Sequence, residues 1–484
     1  RGPPSAGPRQ QRGPRGLRAH APQLASSQAQ AFAAEEGPER VQRWRDDGAR
    51  LVLAVTNKGL QEAVGRELLH RHSLESASLG GRLCFPWDGA PEGPVLHGAS
   101  RVVPLFCAAF APELAELLEG GDLYAALAQR VEADAGCGIR AVLAPALQRV
   151  LEEEQRPLRF ITRSRVNSLG AERVAFGKGA DWTRLKAAVR EGVQRATGWV
   201  LEPRSCDVEV TVIAFFGADH LAVGVQAPEP APGQHGVRFP WSYVPRPGME
   251  TQLAGAMATL ATEALATEGE GPAVVVDPAC GMGTLLLAVA RLWPTDGRPL
   301  HLVGRDLQQL QVERTRLNFA GCGLDASGVE LGDAREPETL AGIPDGGADA
   351  LLCDLPCGAL YKISADTASY GDFLSAAARL LRPGGRCVLL STRRRLLAKS
   401  AAPGPWSLLA AWAVGRGEGN LRESQLVVLQ RTRDGEGQGG EVERALLEHG
   451  LGEEDEEEAG GGGGSGPHPY RGRPRPRARP WKKP

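Results

Sequence analysis

A chain of 484 residues is too long for one ordinary hydrophobic core, so two or three domains are expected, with room for a catalytic unit and a targeting module. A formal net charge of −2 excludes a uniformly basic nucleic-acid binder; with basic ends and an acidic block before the last segment, any nucleic-acid contact must be local. Nine cysteines, odd in number and without a C-x-x-C pair, exclude a disulfide framework and a zinc module of the usual spacing, leave no residues nominated as metal ligands, and fit a reducing intracellular compartment.

Residues 1–49 are expected to be a disordered basic arm. Within 1–34 there are five arginines and no acid, a composition that faintly resembles an organelle transit peptide, so organelle targeting stays open beside a cytoplasmic or nuclear location. The chain opens at Arg1 without a methionine, and a missing natural start is expected. Every apolar run is punctuated well short of the roughly 20 residues that span a bilayer, so no membrane partner is expected.

Order is predicted to begin near Leu51. LVLAVT is a short β-branched run feeding GLQEAVGRELLHR, whose apolar residues recur at helical spacing, and with strand-like pieces at Arg82–Trp87 and Val102–Phe106 it makes a small α+β unit over 50–110. A second α+β unit is predicted over 111–228. It has a helical stretch from Glu113 to about Glu153, broken at Gly120–Gly121 and by a turn at Ala135–Gly138. The alternating strand Leu158–Val166, a helix Trp182–Thr197 and strands Asp207–Ile213 and His220–Gln226 follow. Proline and glycine crowd Ala227–Gly248 and mark a boundary.

Over 229–432 the pattern becomes repeated β-then-α. AVVVD, HLVGRD, DALLCD and RCVLLS read as strands, separated by helices such as TLLLAVARLW and FLSAAARLL, which builds a parallel sheet with helices on both faces. ESQLVVLQR (Glu423–Arg431) is a late strand suited to the sheet edge. Residues 433–484 turn Gly/Glu-rich, then acidic, then basic, and are expected to be a disordered tail.

In open α/β sheets, ligands bind beyond the carboxyl ends of the strands. DPACGMGT (Asp277–Thr284) follows the first strand of this region: Gly281 and Gly283 permit a tight turn, and Asp277 orients the loop or meets the methionine part of a cofactor. Asp306 ends the second strand, 23 residues after Gly283, where a carboxylate grips ribose hydroxyls; Asp333, after the third, is placed to receive an adenine amino group. A dinucleotide site shares the Gly-x-Gly and the later acid. The leading Asp-Pro, Leu286 in place of a third glycine and the additional acids favour S-adenosyl-L-methionine.

DLPCG (Asp354–Gly358) follows the fourth strand, at the cleft edge facing the donor methyl. An exocyclic amine conjugated to a purine is a poor nucleophile and needs acceptors for its hydrogens. Asp354 supplies a carboxylate, the carbonyls of Asp354 and Leu355 a second acceptor, and Pro356 fixes the turn. The alternative for these five residues is an ordinary strand-ending turn. Cys357, with no histidine nearby in sequence, reads as a packing residue rather than a nucleophile.

DPACGMGTLLLAVA, VGRD, CDLPCG and the upstream PGMETQLAGAMATLA together resemble the THUMP-domain-containing methyltransferases, the guanosine-N2 tRNA and small nuclear RNA family. TNKGLQEAVGREL resembles the start of that family's ferredoxin-like unit and LRFITRSRVNSLG its THUMP fold, so the likeness covers about residues 50–432. It implies a Rossmann-like class I methyltransferase domain preceded by a ferredoxin-like plus THUMP α+β RNA-binding module. It also implies N2-methylguanosine formation in tRNA or a small nuclear RNA, a target base flipped into the site, and a small zinc-binding activator subunit as partner.

In the THUMP-like unit, Arg163, Arg165, Arg173 and Lys178 are candidate phosphate contacts, with a solvated basic strand and loop as the alternative; Arg393–Arg395, beyond the fifth strand, invite the same two readings. Cys357 stands where the family usually places an aromatic residue; Tyr361 or Tyr370 is the candidate substitute. Two alternatives therefore accompany the first reading: a catalytically weak or inactive RNA-binding protein that retains the fold, and an adenine-N6 or protein-glutamine N-methyltransferase.

Overall fold

A computed structural model describes residues 37–109, 122–166, 182–215, 220–226, 249–265, 271–335, 342–355, 367–414, 424–433 and 439–448, apart from positions 58, 80–81, 92, 264 and 295–296 within them. The strands of these residues form two sheets.

The first sheet comprises β1 (Leu51–Val55), β2 (Ala77–Leu79), β3 (Arg82–Pro86), β4 (Arg101–Ala109), β5 (Arg159–Val166), β6 (Val200–Leu201), β7 (Val208–Phe215) and β8 (His220–Gln226), in the order β2-β3-β1-β4-β8-β7-β5-β6. Strand β4, at the end of the unit expected over 50–110, joins it to the strands of the unit expected over 111–228. The first half of β4 pairs with β1, and its second half pairs with β8 on the other side. Pro104, which has no N–H to donate, and a register shift between Leu105 and Cys107 mark the handover. One continuous sheet results.

Helices α1 (Gly37–Asp46), α2 (Gln61–His72), α3 (Leu123–Gly138), α4 (Pro145–Glu152) and α5 (Trp182–Thr197) pack on it. The start of α3 is set by Asp122, whose carboxylate accepts the N–H groups of Tyr124 (3.0 Å) and Ala125 (3.3 Å). The helix runs through Ala135–Gly138, where a turn was expected, and breaks only after it, in a tight turn over Ile139–Val142. Leu127 and Val131 of α3 and Val189 of α5 bury against Phe160 and Val210 of the sheet. Helix α1 corrects the expectation of disorder throughout 1–49: Val41 is fully buried against Leu51, Leu53 and Ala77.

The second sheet comprises β9 (Ala273–Asp277), β10 (Leu300–Asp306), β11 (Val329–Leu331), β12 (Ala348–Asp354), β13 (Leu381–Ser391), β14 (Trp406–Val414) and β15 (Ser424–Arg431), in the order β11-β10-β9-β12-β13-β15-β14. The first five are parallel, and β15 runs antiparallel to both neighbours. The late strand expected at the edge is therefore internal. The edge is β14, which the sequence reading leaves unassigned.

Around this sheet lie α6 (Thr251–Thr262), α7 (Thr284–Leu292), α8 (Gln309–Gly321), α9 (Thr367–Leu380), α10 (Arg394–Ala401) and α11 (Gly439–Glu448). Alternate strand residues feed the two faces. Val275, Leu352 and Val388 pack with Met257 and Leu286, whereas Val276, Leu351 and Leu389 pack with Leu374 and Leu397. Val442 and Leu446 of α11 join the second of these cores, so the expected disordered tail at 433–484 contains an ordered, packed helix. Among the described residues no helix is long and apolar enough to cross a membrane.

Strand order reverses direction at β9, with β10 on one side and β12 on the other. The crevice between the carboxyl ends of β9 and β12 is therefore the topological switch point. Both sequence motifs open into it.

Candidate active site

Register fixes the acids before any side chain is considered. Asp277 lies opposite Gly304, and Val276 opposite Leu351. Asp306 on β10 and Asp354 on β12 consequently extend two residues past the level of Asp277, one on each side of it. Three carboxylates from three adjacent strands rim one cleft.

The loop between them is tied down on every side. Asp277 accepts from the N–H of Ala279 (3.2 Å), and the N–H of Cys280 donates to the Arg305 carbonyl (2.7 Å). Asp306 accepts from the N–H groups of Gly281 (3.0 Å) and Gln308 (2.8 Å). From α8, the Thr315 hydroxyl donates to the Gly281 carbonyl (2.7 Å) and the Asn318 amide to that of Met282 (3.1 Å). Sequence reading missed both. The available signal was two polar residues spaced i, i+3 on the helix face that carries Val312 and Phe319, where polar groups persist only if bonded.

The glycines divide their roles. Both have positive φ, +53° at Gly281 and +83° at Gly283. A methyl added to Gly283 would sit 2.8 Å from Thr315 Cγ2, so this glycine allows α8 to pack; a methyl at Gly281 would meet nothing within 4 Å, so its outer side is open to an incoming group.

Burial pushes the Asp277 carboxyl well above the usual carboxylate range; the Ala279 N–H opposes this, and the charges of Asp306 and Asp354 reinforce it. Burial likewise raises Asp306 against the N–H groups of Gln308 and Gly281. Asp333 goes the other way: hydrogen bonds from the Arg335 side chain hold it below the usual range despite its burial. Arg335 is a third residue that sequence reading missed.

Asp354 ends β12 half-buried, and the Leu355 N–H donates to the Leu390 carbonyl (2.9 Å), which anchors the turn to β13. Pro356, Cys357 and Tyr361 lie outside the described residues. Tyr370 does not serve as a base-stacking platform. It is buried in the core beneath α9, with its hydroxyl 3.2 Å from Ser391 Oγ. Arg173 and Lys178 lie outside the described residues, as does the side chain of Arg165, although its backbone is in β5. Arg163 Nε is 2.8 Å from the buried carboxylate of Glu209, which is also 3.6 Å from Arg101. Arg163, half-exposed, is thus tied to a structural ion pair.

The strand order, the glycine loop at its switch point and the acids at successive strand ends define a Rossmann-like class I methyltransferase fold. No family model matches the chain. It is 32% identical over 167 residues to the U6 snRNA (guanine-N(2))-methyltransferase THUMPD2 of Bos taurus, a match covering 34% of this chain and only 30% of that protein's length. Among solved structures it is similar to TrmN from Thermus thermophilus, with a TM-score of 0.54 and 24% identity over 79% of this chain and 99% of the other. It is also similar to SMU.472 in complex with SAH, with a TM-score of 0.50 and 15% identity over 80% and 99%. At these identities the structural likeness is one of fold. The resemblance to THUMP-containing methyltransferases carried by the motifs is thus met again in a curated relative.

Proposed function

We propose that the chain transfers a methyl group from S-adenosyl-L-methionine to the N2 amine of a guanosine in a structured RNA, a tRNA or a small nuclear RNA. The observation that carries this reading is the position of Asp354, two residues beyond Asp277 across the switch point from the glycine loop.

The residues fit the cofactor. Gly281 leaves the loop's outer side open. Asp306 would hold the ribose hydroxyls, Asp333 the adenine amine and Asp277 the methionine part. When bound, the cofactor supplies an electrophilic methyl. The protein's contribution is to position the nucleophile. Asp354 accepts one N–H of the exocyclic amine in a charge-assisted hydrogen bond and turns the lone pair toward the methyl donor. Anchored by the Leu355–Leu390 bond, the Asp354–Leu355 peptide keeps its carbonyl in place as a second acceptor. After alkylation the amine's acidity rises and its proton passes to solvent.

The guanosine-N2 specificity and the RNA substrate are supported by the THUMPD2 relative's activity and by the motif resemblance, and the zinc-binding activator subunit by that resemblance alone. The test is to incubate the full chain, with and without such an activator, with methyl-labelled cofactor and total small RNA, then digest and identify the nucleoside. N2-methylguanosine is expected. Asp354→Ala should lower turnover by about a hundredfold or more and leave cofactor affinity unchanged. Label in adenosine or protein, or cofactor binding with no transfer at all, would replace this reading with one of its alternatives.

A further inference from the structure

Asp333 is gripped by the residue two places along. Its Oδ1 accepts from both the backbone N–H and Nε of Arg335, each at 2.9 Å, and its Oδ2 accepts from Nη2 at 2.5 Å and from Nε at 3.2 Å. This is a planar fork on a carboxylate, with the Asp333 side chain 11% exposed and the Arg335 side chain 39%. Other arginines of this domain join separate pieces of chain: Arg305 binds the carbonyls of Gly304 and Gly328 and pairs with Glu330, and Arg298 and Arg382 meet at Asp349. The Arg335–Asp333 pair closes within a single turn, so what it fixes is the Asp333 carboxylate itself.

Resting on the cofactor reading above, we propose that Arg335 is a positioning residue for purine recognition. It holds the Asp333 carboxylate in one orientation as an acceptor only, so that an amino group at purine position 6 is admitted and a carbonyl there is refused.

The chemistry follows from what an ionised carboxylate lacks. Without a proton it cannot donate to a carbonyl oxygen, and a carbonyl set against it is repelled. The other charged groups at the neighbouring strand ends are Asp306 on β10, Asp277 on β9, Asp354 on β12 and the Arg305–Glu330 pair. Burial of Asp333 favours its protonation, and the side chain and backbone N–H of Arg335 oppose it. Remove that side chain, and Asp333 gains a proton at a higher pH, becomes a donor as well, and loses its discrimination.

The test uses the full chain and calorimetric titration with S-adenosylhomocysteine and S-inosylhomocysteine between about pH 5 and pH 8, a range that lies above the ordinary aspartate value. The wild type should prefer the adenosyl compound equally across that range. Arg335→Met should bind it about tenfold more weakly, with a preference over the inosyl compound that declines further as pH falls. Arg335→Lys keeps the charge without the fork; it should restore the flat pH profile but not the full affinity. Should Arg335→Met fail to fold, Asp333→Asn carries the test, since an amide both donates and accepts and must lose the preference. A wild-type preference and pH profile in Arg335→Met, or an undiminished preference in Asp333→Asn, overturns the proposal. Failure of the wild type to bind either compound overturns the cofactor reading first, and the proposal with it.

Discussion

Asp277 is 1% exposed and has two further carboxylates as neighbours, and this has a consequence for stability. Its folded pKa lies above its unfolded one, so in the window between them the native state binds the extra proton and stability falls as pH rises. Asp277→Asn keeps the shape and the Ala279 hydrogen bond while removing that titration. The urea midpoint of the variant relative to wild type should therefore climb as pH rises above about 4, near the unfolded aspartate value; a difference constant with pH would mean that Asp277 does not titrate in this way. The glycines make a second pair. Gly283→Ala meets both positive φ and Thr315 and should cost about 2–3 kcal/mol of stability, whereas Gly281→Ala faces open space and should cost about 1–2 kcal/mol but weaken cofactor binding disproportionately. Denaturation and ligand titration on the same two variants separate these effects. The acids and glycines were legible in sequence because strand-end position alone gives them meaning. Thr315, Asn318 and Arg335 were not, since each acts on a partner whose position depends on how the loop is folded.

At the scale of elements, each misread piece has its own cause. WSLLAAWAV of β14 has no alternation and is rich in alanine, a helix former, so local preference points away from a strand; pairing along the whole of β15 makes it one. The continuous run LVVL in β15 fits a strand buried on both faces, which is what its internal place requires. Helix α11 was hidden by the glycine-rich stretch before it and by its brevity. Its signal is the i, i+4 pair Val442 and Leu446, and both are buried against the core that holds Trp406 and Leu397. Leu446→Ala should accordingly cost about 2–5 kcal/mol, and ending the chain at 433 should cost at least as much, read as a lowered thermal midpoint. No change in either variant would show that α11 does not pack there.

Across the whole molecule, the two sheets are held together by the corner between β1 and α2. Leu60 and Ala63 are buried in the same core as Leu253 and Met257 of α6. Around this apolar contact, buried Glu67 of α2 accepts the N–H groups of His97 (2.9 Å) and Gly98 (3.2 Å), and a methyl on Gly255 of α6 would overlap the His97 carbonyl oxygen. Charged groups complete the clasp. Glu263, next to α6, accepts from Arg66 of α2 (3.1 Å) and Arg386 of β13 (2.6 Å), and the indole of Trp412 on β14 donates to Glu62 of α2 (2.7 Å). The first sheet is thus fastened to the second through packing, backbone and charge together. Glu263→Ala would leave Arg66 and Arg386 facing each other without their carboxylate. Because both guanidiniums are partly solvated, the loss should be about 1–3 kcal/mol. If α2 and α6 open as one unit, hydrogen exchange in the variant should quicken in both, while α5, on the far part of the first sheet, keeps its protection. Faster exchange confined to α6 would mean that α2 and α6 do not open together.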